Sequence, residues 1–320
     1  MPGIRRQGVP LVAWRGPPCV LEAPNGTTRV LLSGMIVITD ERCTAYHLPG
    51  HPERPARVAG TVEKLRAQNR LPITWAAPVP VHEEQLRRAH SANLLARLSV
   101  PADFDADTPA YPDIRAHAER SVGGALKALD LALEGRRAFS LLRPPGHHAT
   151  PVRAMGFCYL NSMAIAVLEA LARGHRRVAV FDFDVHHGNG TEDILRGRPD
   201  CAFFSVHQFP AYPGTGESSH QNAHNYPVPP GASRAEYRAA LEQALEDLAR
   251  YQPSLVGVSA GFDAFREDPL SDAALEVEDY AWLGERLRQL GVPLFSVLEG
   301  GYSSKLPDLA LAYLSGLEGA

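Results

Sequence analysis

The feature that most constrains the fold is a set of short segments that carry apolar residues on both faces. Such strands, with helices between them, are typical of a parallel sheet that is covered on both sides. The sequence therefore predicts an α/β fold: a single domain with a central, mostly parallel β-sheet of about eight strands flanked by helices on both faces. The segments are FSLL (139–142), VAVFDFD (178–184), AFFSV (202–206), LVGVSA (255–260) and LFSVL (294–298).

Residues 1–34 differ from the rest of the chain. They are rich in Pro, Gly and Arg, and a coherent pattern begins only at Met35, with a predicted apolar strand at Ile36, Val37 and Ile38. We predict that residues 1–34 are an N-terminal extension, either loosely ordered or upstream of a native start at Met35, and that residues 35–320 form the domain. A capping segment packed on the domain is the alternative.

Composition argues against two classes of function, direct nucleic-acid binding and membrane binding. The 320 residues are 45% hydrophobic and carry a net charge of -4, which gives no basic footprint for direct nucleic-acid binding. No apolar run approaches the roughly 18 residues of a membrane span. Four cysteines without a CxxC pair indicate free thiols in a reducing compartment, so we expect a cytoplasmic protein that does not bind membranes.

Each apolar segment runs into glycines and polar residues at its C-terminal end. In a parallel sheet these ends share one edge, and ligands bind at that edge. Five separate stretches are therefore expected to converge on one crevice. They are RPPGHH (143–148), DFDVHH (182–187), His207, GFD (261–263) and EGGY (299–302).

A metal site is predicted at the end of the second segment. Alternation along a strand would place Asp182, Asp184 and His186 on one side, where burying them unpaired is costly. A divalent cation removes that cost, and a carboxylate–imidazole set suits zinc, with iron as the alternative. Asp184 and His186, with Asp263 from another strand end, would leave one coordination position open. A structural hydrogen-bond network without metal is the competing interpretation.

Catalytic side chains are predicted beside this site. His147 and His148 stand on a stiff Pro- and Gly-rich loop and could act as general base and general acid. Tyr302 follows two glycines and could donate to an oxyanion. Gly156 with Phe157, and Tyr212, would form the walls of a narrow channel, although core packing competes with that interpretation.

These stretches resemble the histone deacetylase family of the arginase/deacetylase fold, in its class II-like, bacterial-type branch. The resemblance covers about residues 36–318 and rests on motifs in the family's order. They are HPERP (51–55), RPPGHH (143–148), MGFCYLN (155–161), DFDVHHGNG (182–190), PGTG (213–216), SAGFD (259–263) and EGGY (299–302).

The resemblance implies zinc-dependent hydrolysis of an acyl amide, acetyl above all. Asp184, His186 and Asp263 would bind one zinc ion per chain, which in this family polarises the amide carbonyl and activates a water. His147 and His148 would share the proton transfers, and Tyr302 would stabilise the oxyanion.

Supporting roles follow from the same resemblance. Asp182 would orient His147 and help to hold a structural potassium ion, together with backbone carbonyls near Ser205 and Val206. Asn189 stands where class I members carry an aspartate paired with His148.

The substrate is expected to be an acylated lysine peptide or a related small acyl amine. Leu270 lies where the family's polyamine deacetylases carry a glutamate, and leucine cannot attract a cationic polyamine. An acylpolyamine or small-metabolite amidohydrolase and an inactive acyl-lysine-binding module are the alternatives. The family's substrate-binding aspartate could be Asp105 or Asp107, and the oligomeric state stays open.

Overall fold

The structure is a computed structural model that describes residues 20–22, 28–30 and 34–320. Strands β1 (Val20–Glu22) and β2 (Thr28–Val30) pair in antiparallel fashion. The expectation for residues 1–34 otherwise lies outside the described residues and stays a prediction.

An eight-stranded sheet forms the centre of the domain, and every neighbouring pair in it is parallel. The strand order is β4-β3-β5-β10-β9-β6-β7-β8. This confirms the α/β prediction with its central parallel sheet. The strands are β3 (Met35–Ile38), β4 (Ile73–Ala76), β5 (Arg137–Ser140), β6 (Val178–Asp182), β7 (Cys201–Gln208), β8 (Ala223–Val228), β9 (Leu255–Ala260) and β10 (Leu294–Leu298).

Helices connect the strands and cover the sheet, as parallel pairing requires. α7 begins with the capping box of Ser233 and Glu236, in which the serine hydroxyl accepts from the Glu236 N–H. The helices are α1 (Ala56–Ala67), α2 (Glu83–Ala89), α3 (Ala92–Arg97), α4 (Ile114–Leu133), α5 (Ser162–Ala172), α6 (Asn189–Leu195), α7 (Arg234–Tyr251), α8 (Val277–Gln289) and α9 (Leu306–Glu318), with a 3-10 turn at Glu41–Thr44.

Two strands of the eight-stranded sheet were not predicted from the sequence, and both lie at its edges. β4 and β8 are partly exposed, so they lack the two-sided apolar character of the inner strands. Two strands end earlier than predicted: β5 stops at Ser140 instead of residue 142, and β6 stops at Asp182 instead of residue 184. The polar residues that follow belong to the loops of the crevice.

The strand register brings the predicted clusters to one edge of the sheet. Asp182, the last residue of β6, lies opposite Ser205 on one neighbour and Ser259 on the other. The last residue of β10, Leu298, lies opposite Ala260, the last residue of β9. The loops after these strands therefore leave the sheet side by side.

Two further expectations concern the chain as a whole. In the part of the chain that the structure describes, no helix combines the length and the apolar character that a membrane crossing requires. Cys43, Cys158 and Cys201 are free and buried, while Cys19 lies outside the described residues.

Candidate active site

Three side chains from two strand ends meet at the crevice. One ligand atom each from Asp184, His186 and Asp263 lies within 4.8 Å of the others. Nδ1 of His186 lies 3.2 Å from Oδ1 of Asp184 and 3.2 Å from Oδ2 of Asp263. Both carboxylates are fully buried.

The local backbone explains how this cluster forms, and it corrects one expectation. Asp182, Asp184 and His186 do not alternate along a strand, because β6 ends at Asp182. Instead the Asp182 carboxylate accepts from the Asp184 N–H at 3.1 Å, and the Asp184 carboxylate accepts from the His186 N–H at 2.9 Å. Aspartates favour such turns, in which the side chain caps the backbone two residues on. The Asp263 carboxylate accepts from the Val185 N–H at 2.9 Å, which ties the two strand ends together.

The donor set fits a divalent cation. Two buried carboxylates share one imidazole, and both burial and the charge of Asp184 raise the pKa of Asp263. A metal ion offsets this crowding of negative charge, and mixed carboxylate and imidazole donors suit zinc. Glycines leave room for the cluster: a Cβ on Gly300 would lie 2.0 Å from Oδ2 of Asp263, and one on Gly261 would lie 2.1 Å from Oδ2 of Asp184.

The two histidines lie next to the cluster with different partners. Their ring centres are 4.0 Å apart. Nδ1 of His147 lies 3.1 Å from Oδ2 of Asp182, and Nδ1 of His148 lies 2.8 Å from Oδ1 of Asn189. A carboxylate behind one ring and a neutral amide behind the other give the pair unequal environments.

These environments separate the two pKa values. Burial disfavours the charged form of His147, but Asp184 and Asp182 outweigh it and raise its pKa to about 10. Burial and the positive charges of His147 and His186 hold the pKa of His148 well below its usual range. Adjacent groups with pKa values pushed apart can serve as a proton donor and a proton acceptor.

Tyr302 enters the site from the loop after β10. Its backbone N–H donates to Oδ2 of Asp268 at 2.6 Å, and its ring contacts that of Phe157 edge-on at 5.7 Å. Gly301, with φ of 112°, approaches Phe262 so closely that a Cβ there would lie 2.8 Å from it. Burial raises the pKa of Tyr302 well above its usual value, which keeps the hydroxyl a proton donor.

A cavity of about 330 Å³ opens from these groups toward solvent. It brings together the predicted channel residues with His148, His186 and Tyr302, but His147 and the two buried carboxylates do not line it. Its lining residues are His51, Pro52, Ala106, Asp107, His148, Gly156, Phe157, His186, Tyr212, Leu270 and Tyr302.

The walls of this cavity are closely fitted at Gly156. A Cβ at that position would lie 2.6 Å from the His148 ring and 2.8 Å from the Tyr212 hydroxyl, so only glycine allows both to approach. Phe157 adopts a positive φ of 67°, which is uncommon for a bulky residue. Tyr212 is 40% exposed and Leu270 is 37% exposed, so neither is a core residue.

The two aspartates left open by the sequence differ in position. Asp107 lines the cavity. Asp105 instead accepts from the Asp107 N–H at 3.1 Å, and its carboxylate lies 3.7 Å from the Arg153 guanidinium. Asp107 is therefore the one that faces the space a ligand would occupy.

Sequence reasoning missed the buried charges that support the site. Arg143 donates to both carboxylate oxygens of Glu53 at 2.6 Å, beneath the histidine loop. Glu299 accepts from the N–H groups of Gly146 and His147 at 2.7 and 3.1 Å. These residues stand inside the HPERP, RPPGHH and EGGY motifs, so the signal was charged residues in loops otherwise built from proline and glycine.

Comparison with known proteins identifies the family to which the chain is similar. A family model described as histone deacetylase domain matches residues 51–317. A protein of Archaeoglobus fulgidus described as "Probable deacetylase" is 33% identical, over 89% of this chain and 86% of its own. Acetylpolyamine amidohydrolase 2 of Pseudomonas aeruginosa is 37% identical, over 79% of this chain and 75% of its own.

A solved structure supports the same placement. The HDA15 HD domain superposes with a TM-score of 0.82 at 29% identity, covering 90% of this chain and 88% of that one. The family model takes in the crevice loops from His51 to Tyr302, and the two relatives are described as a probable deacetylase and an amidohydrolase. The resemblance first stated on short motifs is confirmed along most of the sequence, and the chain belongs to the histone deacetylase family of amide hydrolases.

Proposed function

We propose that this enzyme is a zinc-dependent deacylase that removes acetyl groups from acyl-lysine or a related acyl amine. The observation that carries the proposal is one crevice in which a three-ligand cluster, a histidine pair and a tyrosine lie together. The cluster offers three protein ligands and so leaves a position open, which is typical of catalytic zinc. Iron is the alternative metal for the same donors.

The roles follow from the geometry of the chain's own groups. A divalent cation held by Asp184, His186 and Asp263 would supply Lewis-acid polarisation of the amide carbonyl. His147 and His148 share the proton transfers from the attacking water to the leaving amine nitrogen. The Tyr302 hydroxyl donates to the oxygen that becomes negative as the carbonyl is attacked.

Groups behind these side chains keep them oriented. Asp182 holds His147, and Asn189 holds His148, each through Nδ1 of the ring. A structural potassium ion is proposed near Asp182, Ser205 and Val206, because Asp182 at the end of β6 lies opposite Ser205 of β7 and hard cations prefer carboxylate and carbonyl oxygens.

The channel favours a substrate with a neutral aliphatic stem. Gly156, Phe157 and Tyr212 form its walls, and Leu270 stands at its mouth with an exposed apolar side chain. An acetyl-lysine side chain would pass through such a channel with its amide at the histidines. Asp107 would then accept hydrogen bonds from the peptide backbone at the mouth.

An acylpolyamine is the second candidate. Asp107 is a carboxylate at the mouth, and among the described residues the basic side chains that line the cavity are all imidazoles. A cationic polyamine tail would therefore meet no Lys or Arg on its way in. Relatives named acetylpolyamine amidohydrolases are consistent with this alternative. The intact set of catalytic side chains argues against an inactive binding module.

Rates on two substrates separate these candidates. We expect metal-loaded enzyme to show a higher kcat/KM on an acetyl-lysine peptide than on N-acetylputrescine. Leu270→Glu should raise the rate on acetylputrescine, because a carboxylate then meets the cationic tail. Leu48→Glu is the matched control, since Leu48 is also exposed (47%) but does not line the cavity.

Other outcomes would redirect the proposal. A wild-type preference for acetylputrescine would replace the acyl-lysine assignment with the polyamine one. Binding of acetyl-lysine peptide without turnover of any acyl amide would replace the enzyme with a binding module.

A further inference from the structure

A buried carboxylate outside the catalytic groups organises the region beside the channel. Glu192, on α6, is only 4% exposed. Its Oε2 lies 3.0 Å from Nε2 of His187 and 2.8 Å from Nδ2 of Asn225. Its Oε1 lies 2.8 Å from Nε2 of His220 and 3.4 Å from the Arg196 guanidinium.

The protonation of this cluster follows from its contacts. Burial would raise the pKa of Glu192, but the hydrogen bonds from His187 and Asn225 outweigh it and lower the pKa to about 2. An ionised carboxylate can only accept, so Nε2 of His187 carries the hydrogen. Nδ1 of the same ring lies 2.8 Å from the Thr215 hydroxyl. The Glu192 carboxylate thereby orients the His187 ring, whose other nitrogen contacts Thr215.

Thr215 belongs to the loop that carries Tyr212, between β7 and β8. Asn225, the second partner of Glu192, holds the same loop: its Nδ2 donates to the Ser218 carbonyl at 3.1 Å, and its N–H donates to the Ser219 hydroxyl at 2.8 Å. The loop is thus attached to both hydrogen-bond donors of Glu192 Oε2, which are His187 and Asn225.

The loop also lies very close to this cluster. Gly216 has a φ of 87°, and a Cβ there would lie 2.4 Å from Nε2 of His207 and 2.6 Å from the His187 ring. Nε2 of His207 faces the Gly216 carbonyl at 3.0 Å. A shift of the His187 ring would therefore displace the loop, because packed side chains leave no slack to absorb it.

We propose that Glu192 is a positioning residue that fixes the Tyr212 wall of the channel through His187, Thr215 and Asn225. It does not line the cavity, whereas Tyr212 does. The consequence for catalysis rests on the proposed function, since it assumes that a substrate stem passes Tyr212. The consequence for the loop does not.

The first test measures the loop directly. Glu192→Gln keeps the size of the side chain, but its amide presents an NH₂ group to donors that now face a carboxylate. Hydrogen exchange of residues 209–219, followed by mass spectrometry, should be faster in this variant. Thr215→Val, which removes only the link to His187, should accelerate exchange in the same segment. Glu169→Gln is the matched control, because Glu169 is also buried and ion-paired, on α5 with Arg88 and Arg173.

The second test measures the channel. With acetyl-lysine peptide as substrate, Glu192→Gln and Thr215→Val should each raise KM about fivefold while kcat changes less than KM. In a Tyr212→Ala background, Glu192→Gln should have no further effect on KM, because the wall it positions is gone. A merely structural role would lower stability without this dependence on Tyr212.

Each outcome decides the proposal. Unchanged exchange in residues 209–219 for both variants would overturn it, whatever the enzyme's substrate. An undiminished KM effect in the Tyr212→Ala background would overturn it too, as would loss of bound zinc from Glu192→Gln, since either shows that Glu192 acts elsewhere. If the wild type hydrolyses no acyl amide, the proposed function fails, and the exchange measurement still judges the loop.

Discussion

The guanidinium carbon of Arg57 lies 4.7 Å from the centre of the Tyr302 ring. Nε of the same side chain donates to the Gly301 carbonyl at 2.7 Å, and another nitrogen donates to the Glu299 carbonyl. Arg57 thus holds the two-glycine turn that carries Tyr302 and also packs on the ring itself. Because glycine gives a backbone little stiffness of its own, this clamp limits where the phenol can point.

Arg57→Lys should therefore lower kcat by about tenfold or more, because a single ammonium cannot bond two carbonyls and stack on a ring together. Steady-state kinetics on an acetyl-lysine peptide would measure this. Zinc content should stay at the wild-type level. Arg66→Lys is the matched control, since Arg66 packs over Trp75 on the outer part of α1. Equal losses in both variants would contradict the assigned role.

Tyr302→Phe should lower kcat by about 100-fold or more, because the oxyanion would lose its proposed hydroxyl donor while the ring packing remains. The melting temperature and the zinc content should not change. Tyr313→Phe serves as the control: its hydroxyl is also buried, but it lies 2.9 Å from the Ser296 hydroxyl and away from the cavity. Full activity in Tyr302→Phe would refute its assignment as the oxyanion donor.

The inner sheet could be predicted from the sequence because burial on both faces leaves a simple signal. The predicted bounds of β9 (255–260) and β10 (294–298) coincide with the observed ones. β8 carries His, Asn and Tyr and lies at the sheet edge, where one-sided exposure permits polar residues. Edge strands therefore escape a search for apolar runs.

The contents of the crevice could be predicted because parallel strand ends share an edge. The buried charged residues that support the crevice could not be predicted, since each depends on a partner far away in the chain. Glu53 and Arg143 are separated by 90 residues, and nothing in either motif identifies the other as its counter-charge. Asp184 and His186 were also predicted to lie together because side chains alternate along a strand. In the structure they lie together because the Asp182 and Asp184 carboxylates accept from the backbone N–H two residues on, after β6 has ended.

His148→Ala and Asp263→Ala should differ in metal binding. Removing Asp263 takes away one of the three proposed ligands, so we expect the zinc content after dialysis to fall far below one ion per chain. Removing His148 should leave zinc bound and lower kcat by at least about 100-fold, the usual scale for a lost proton-transfer group. Elemental analysis beside kinetics makes the comparison. Loss of zinc from both variants would show that His148 is a ligand instead.

The last prediction concerns pH and His90, which is 3% exposed at the end of α2. Its Nδ1 lies 3.0 Å from the Thr150 carbonyl, and its Nε2 accepts from the Asn161 N–H at 2.9 Å. Only the neutral ring can make both bonds, and burial lowers the pKa of His90 to about 4. This ring therefore joins the two segments on either side of the channel residue Gly156 in its uncharged form.

The free energy of unfolding should then fall as the pH drops. Below about pH 6.5 the unfolded chain binds a proton that the folded His90 takes up only near pH 4, so stability is full above this window and lost within it. At pH 4.5 the loss from this residue alone is about 2.5 kcal/mol. Urea unfolding at pH 7 and pH 4.5 would measure it. His90→Gln should lose less stability between these pH values than the wild type, whereas the same change at the exposed His47 should not alter the difference. Because metal loss at low pH affects all three proteins alike, parallel pH profiles for the wild type and His90→Gln would mean that His90 is not the titrating group.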